Sequence, residues 1–260
     1  MKRIASIQDI SCLGRCSLTV ALPVISAMGV ECAIVPTAVL STHTMFQNFT
    51  VCDLSDQIMP IARHWQAEKV HFDAIYTGYL ASAEQIGDVC AFFDMLTAED
   101  TMIFVDPAMA DHGKLYPGFG PEFPAEMAKV AARADVLIPN LTEACLLTGA
   151  EYKESYDEAY IRDLLHRLVA LGAKKAVLTG EYFTYFNEKM PVSFHGTGDI
   201  FSSVVMGGLM RGLTMENALK LAVDYTLECI RITDKDETWY GVEFERVIPM
   251  LCDRLKEAAE

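Results

Sequence analysis

The residues best suited to chemistry in this chain are Gly196-Thr197-Gly198-Asp199. Two glycines flank a threonine, an acid follows, and a long apolar run begins at Ile200 and Phe201 and continues through Val204, Val205, Met206 and Leu209. That run predicts a buried helix with the glycine turn at its start. The first N–H groups of a helix lack intrahelical partners, and the peptide dipoles add partial positive charge there. Glycines let an anion approach those N–H groups. An acid in such a turn either serves the dipole or does chemistry. Beside a bound phosphoryl group, Asp199 would orient an acceptor hydroxyl and take its proton.

A second set of polar residues falls where strands are expected to end. Asp106 and Glu143 are acids at two such exits. Side by side, they would hold Mg²⁺ directly or through water, and the ion would bridge ATP phosphates. Each could instead cap a helix or turn. Asn140 is a neutral donor able to reach phosphate or metal-bound water, or a turn residue after Pro139.

These residues need a scaffold, and the chain reads as alternating strand and helix. Strands are expected at 4–8, 32–40, 74–79, 102–105, 136–138 and 176–179, with shorter candidates at 183–186 and 192–194. Helices are expected at 18–28, 54–68, 83–96, 125–134, 142–147, 156–171, 214–232 and 242–258. Residues 9–15 read as a polar loop, and 108–124, rich in Gly, Pro and Asp, as a functional loop. Nearly uninterrupted apolar strands indicate a mostly parallel sheet covered on both faces, an α/β/α three-layer architecture over a single domain, 1–260. Ligands of such sheets bind beyond the carboxyl ends of the strands. Asp9, Thr44, Tyr79, Asp106, Asn140, Thr179 and Asp199 all follow expected strands.

The 260 residues are 52% hydrophobic and carry a formal net charge of −15. That balance disfavours nucleic acid and anionic membrane as partners. No apolar run reaches the length of a membrane span, and the start lacks a signal-peptide pattern, so a cytoplasmic location is expected. Eight scattered cysteines show no zinc spacing and suit a reducing compartment. No Walker A loop and no GxGxxG follows any strand, which disfavours P-loop ATPases and Rossmann dehydrogenases.

Asp106-Pro107, Pro139-Asn140-Leu141-Thr142-Glu143 and Gly196-Thr197-Gly198-Asp199, in that order, resemble the motifs of the ribokinase-like superfamily. Ser41-Thr42-His43-Thr44, Thr77-Gly78-Tyr79 and Asp106-Pro107-Ala108-Met109-Ala110-Asp111 resemble its pyridoxal kinase branch, and the similarity covers almost the whole chain. The Gly-Gly substrate loop of sugar-kinase members is absent. The resemblance implies ATP- and Mg²⁺-dependent phosphorylation of the 5′-hydroxymethyl group of pyridoxal, pyridoxamine or pyridoxine by a homodimer. It implies Asp199 as catalytic base and Gly196, Thr197 and Gly198 as anion hole. It places Asp106, Asp111, Tyr116, Asn140, Glu143 and Thr179 around ATP and magnesium, and His43, Thr44 and Tyr79 in the substrate pocket. It leaves room for a monovalent cation that the sequence does not name.

Two departures stand out. Asp9 occupies a position where pyridoxal kinases commonly have serine, and an acid there would pair with a pyridine nitrogen or an amine. The chain from Thr179-Gly180 to Gly196 is shorter than in relatives, so the adenine contacts stay open. Rival readings are a hydroxymethylpyrimidine kinase of thiamin synthesis and a non-catalytic vitamin B6-binding protein.

Overall fold

The computed structural model describes residues 1–179, 194–234 and 236–257. Backbone pairing orders seven strands as β3-β2-β1-β4-β5-β8-β9, with a separate two-stranded hairpin, β6-β7. The strands are β1 (Arg3–Ser11), β2 (Glu31–Leu40), β3 (Val51–Asp53), β4 (Ala74–Thr77), β5 (Met102–Val105), β6 (Ala110–Asp111), β7 (Lys114–Leu115), β8 (Val136–Leu137) and β9 (Lys175–Ala176). The sheet is mostly parallel and flanked by helices, as its apolar strands require. Contacts divide the chain into two compact units.

The first unit comprises Met1–Leu54, Phe72–Ala74 and Glu188–Glu260. Here β1 runs parallel to β2, and β3 closes on β2 antiparallel. Ile4, Ala5 and Ile7 of β1 and Val35 of β2 are fully buried. Its helices are α1 (Leu18–Ala27), α7 (Thr197–Met210), α8 (Met215–Ile232) and α9 (Ile248–Glu257). Helix α7 is buried on nearly every face, with Ile200, Val204, Val205 and Met206 inaccessible. Gly207 lets α1 approach: a Cβ there would come 2.4 Å from the Met28 sulfur.

The second unit comprises Ser55–His71 and Ile75–Asn187. Strand β8 lies between β5 and β9, parallel to both. The helices are α2 (Ser55–Ala67), α3 (Ala83–Leu96), α4 (Phe123–Ala131), α5 (Leu141–Thr148) and α6 (Glu158–Leu171). Ser82 caps α3 through the Gln85 N–H, and Asp157 caps α6 through the Tyr160 N–H.

The observed elements depart from expectation in several places, among them β9, expected at 176–179 and observed at Lys175–Ala176. Strand β1 continues through Asp9 to Ser11, because Ile10 and Ser11 keep pairing with Val39 and Leu40 after a register shift. The three-residue β3 is too short to show a periodicity. The last helix does not begin at Val242: a 3₁₀ turn, Phe244–Val247, comes first, and α9 starts one residue before Pro249, which suits a first helical turn. Residues 108–124 contain the β6-β7 hairpin and the start of α4. The strand candidate at 183–186 lies outside the described residues, as does 192–194 apart from Phe194, which is in no strand.

Candidate functional site

Helix α7 opens on Gly196, whose φ of +82° belongs to the left-handed region that favours glycine. A Cβ on Gly196 would come within 1.8 Å of the Arg15 carbonyl oxygen, so no other residue fits. No side chain caps this helix start. The Thr197 hydroxyl instead donates to the Phe194 carbonyl, at 3.2 Å. Gly198 tells more. It has ordinary helical backbone, and a Cβ there would meet nothing within 4 Å. Protein packing does not require a glycine at that position, and glycine costs helix stability. Among the described residues, nothing packs against that position, and Gly198 is exposed.

The same unit brings Asp9, Cys16 and Asp199 together. Burial pushes the Cys16 thiol up to about 12, with the charges of Asp199 and then Asp9 adding to it. Asp9 is 5% exposed rather than on a loop. Burial raises its pKa, while hydrogen bonds from Ser17 and Ser11 and the nearby His43 oppose the rise. Ser11 Oγ donates to Asp9 Oδ2 at 3.2 Å. Ser17 begins α1 at φ +50°, a conformation uncommon for a side chain-bearing residue.

His43 is buried, and its ring is fixed at both nitrogens. The Met45 N–H donates to Nδ1 at 3.3 Å, so Nε2 carries the proton and donates to the Tyr240 carbonyl at 2.9 Å. Burial lowers its pKa, while the Tyr240 contact and Asp9 oppose the shift. Thr44, next in sequence, is exposed.

The second unit carries the other set. Asn140 and Glu143 form a complete capping box at the start of α5. Asn140 Oδ1 accepts from the Glu143 N–H at 2.9 Å, and Glu143 Oε2 accepts from the Asn140 N–H at 2.8 Å. The remaining groups reach the hairpin. Glu143 Oε1 accepts from the Met109 N–H at 3.1 Å, Asn140 Nδ2 donates to the Ala110 carbonyl at 2.7 Å, and Thr142 Oγ1 accepts from the Gly113 N–H at 2.9 Å. Every polar side chain at the start of α5 therefore holds the segment 109–113. Asp111 on that hairpin is exposed, and Tyr116 is tied back by its N–H to the Met109 carbonyl.

Glu143 is buried, and burial first, then the charge of Asp106, raises its pKa. Asp106 directly follows β5, its N–H bonded to the Thr77 carbonyl. Among the described residues no three His, Cys, Asp or Glu side chains gather to enclose a metal. A magnesium ion here would take one or two carboxylates and complete its shell from phosphate and water, the usual pattern for this ion. Two neighbouring carboxylates, one buried, suit that donor set. Thr179 pairs by a parallel bridge with Asn140. Tyr79 lies against Phe119, ring centroids 5.5 Å apart, and Phe119 stacks on Phe123 at 3.8 Å.

Thr142, Ser11 and Ser17 carry no role in the sequence reading, and His195 enters it only as the residue that opens the glycine stretch. Thr142 sits inside the Asn140-to-Glu143 motif, and its position there was the available signal. The packing of His195 against His43 left no local mark.

A mostly parallel α/β sheet with an uncapped glycine turn followed by an acid defines a small-molecule kinase of ribokinase-like fold. More narrowly, the chain belongs to the phosphomethylpyrimidine kinase family, whose sequence profile matches residues 20–242. It is similar to a Bacteroides thetaiotaomicron protein, provisionally named a phosphomethylpyrimidine kinase and crystallised with pyridoxal: 34% identity, TM-score 0.89, 96% of this chain and 95% of that one. A pyridoxal kinase from Lactobacillus plantarum matches at 28% identity and TM-score 0.88, covering 99% of each chain. A pyridoxal kinase of Dictyostelium discoideum is 26% identical over 246 residues, 80% of this chain and 78% of its own.

Proposed function

We infer that this chain is a pyridoxal kinase, acting as one kinase domain over residues 1–260. It transfers the γ-phosphoryl group of ATP to the 5′-hydroxymethyl group of a B6 vitamer. The observation that carries this reading is the glycine turn at the start of α7, without a side-chain cap and next to Asp199, where among the described residues nothing lies within 4 Å of a Cβ placed on Gly198. The amides of Gly196, Thr197 and Gly198 hold the migrating phosphoryl, and Asp199 aligns the acceptor hydroxyl and receives its proton. Phosphoryl transfer is mostly positioning and charge stabilisation, which is what such a turn provides. Asp9, His43, Thr44 and Tyr79 contact the vitamer.

Asn140, Thr179, Asp111 and Tyr116 serve ATP, the last two from the hairpin that α5 holds. Magnesium supplies charge neutralisation when bound, with Asp106 as its direct carboxylate and Glu143 behind it through water. A monovalent cation site is part of the same reading, drawn from the family resemblance alone.

A homodimer is supported by four exposed apolar side chains of the first unit: Leu13, Met45, Val51 and Trp239. Sedimentation at micromolar concentration tests it. A cytoplasmic location is supported by eight free cysteines. Among the described residues no helix is long and apolar enough to cross a membrane.

The family profile and some relatives carry the hydroxymethylpyrimidine kinase name, so the test compares substrates directly. ATP-dependent phosphorylation is measured on pyridoxal, pyridoxamine, pyridoxine and hydroxymethylpyrimidine. Higher kcat/KM on a B6 vitamer is expected. A preference for hydroxymethylpyrimidine reassigns the substrate, and pyridoxal binding without ATP consumption makes the protein a binder.

A further inference from the structure

His195 stands immediately before the glycine turn, and its ring lies 4.4 Å from that of His43, tilted by 38°. His43 is a rigid support. Its two nitrogens are bonded to the Met45 N–H and the Tyr240 carbonyl, and Phe46 packs on it at 4.9 Å. The approach of Gly14 is so close that a Cβ there would lie 2.5 Å from His43 Cδ2.

The other side of the turn is held as firmly. Gly196 rests on the Arg15 carbonyl. Arg15 is itself fixed by an ion pair with Glu245 at 3.0 Å and by the Tyr240 ring, 5.6 Å from its guanidinium carbon. A Cβ on Gly241 would come 2.8 Å from Arg15 Cβ. One segment, 240–245, thus steadies both His43 and Arg15, and those two flank the start of α7.

We propose that His195 is a positioning residue for phosphoryl transfer: packed at a tilt against the locked His43 ring, it fixes the direction in which the amides of Gly196–Asp199 point. This deepens the kinase reading and rests on it. Aim matters here because an oxyanion-type site stabilises charge only where its donors are already directed. A neutral ring suits the task. Burial, and then the neighbouring His43, lower the His195 pKa to about 4, so the ring adds no charge to compete with the amides at neutral pH.

The test is steady-state kinetics with ATP, Mg²⁺ and pyridoxal on wild type, His195→Ala and His195→Phe, with thermal melting of each. His195→Ala should lower kcat about tenfold, the scale of a small misplacement of catalytic groups, while KM for pyridoxal stays within about twofold. His195→Phe keeps a ring to pack there and should restore kcat to within about threefold of wild type. Wild-type kcat in His195→Ala overturns the proposal. So does a loss confined to KM for pyridoxal, the mark of direct substrate contact. Should the alanine variant not fold, the phenylalanine variant decides alone: near wild-type kcat supports the proposal and a tenfold loss overturns it. Absence of turnover in wild type would sink the kinase reading itself, a different outcome from an active wild type with an unaffected alanine variant.

Discussion

Two helix starts in this molecule have been given opposite treatments. At α5, Asn140 and Glu143 satisfy each other's backbone N–H groups, and their remaining atoms, with Thr142, hold the 109–113 segment. At α7, among the described residues, no side chain caps the helix and nothing packs against Gly198. Both starts offer the same N–H groups and the same dipole. At the first the side chains hold the neighbouring hairpin, whereas at the second no side-chain cap is formed. A polar motif at a helix start can therefore carry a structural load as well as the ligand role proposed for it.

The largest effect expected from this contrast is at Asp199. Asp199→Asn should cut kcat by roughly 10²–10⁴ and leave ATP binding, followed by calorimetry, nearly unchanged. Wild-type turnover would erase the distinction between the two starts. Gly198→Ala sharpens it. The fold should gain up to about 1 kcal/mol from helix propensity, while kcat/KM for ATP falls by about one to two orders of magnitude. A melting temperature that drops would mean that the protein itself needs a glycine there after all.

At α5 the loss should appear in stability. Asn140→Ala removes a cap and the donor to Ala110, costing about 1–2 kcal/mol in chemical denaturation. If it lowers turnover, added ATP should recover part of the loss by re-ordering the hairpin.

The smallest effect is in acid. The folded state holds His195 at about 4 against an ordinary 6.5, so it binds fewer protons than the unfolded chain between those values. Stability from this group is complete above pH 6.5 and is lost as pH falls towards 4, by about 1–2 kcal/mol after allowing for partial solvation. His195→Gln should flatten that limb of the pH–stability curve. Glu143 works in the opposite sense: its raised pKa means the folded state keeps a proton longer, so acidification relieves its penalty.

Periodic apolar stretches made the scaffold legible. The expected bounds of α3 and β5 match the observed ones residue for residue, because burial patterns and proline or serine boundaries coincide there. The glycine turn was legible for the same local reason. Asp9 was not: its place inside β1 depends on Ile10 and Ser11 finding partners about thirty residues away. The alternative that Glu143 caps a helix is what its bonds show, yet its grip on Met109 is a long-range fact. The packing of His195 against His43 joins positions far apart in the chain and leaves no periodicity to read.

The buried Cys16 thiol near Asp199 bears on how this part of the chain meets thiol reagents. Thiolates, not thiols, react with peroxides and alkylating agents. Held protonated to about pH 12 and buried, Cys16 is shielded from them. Cys12 and Cys52 are exposed, so such reagents reach them more readily than the buried Cys16.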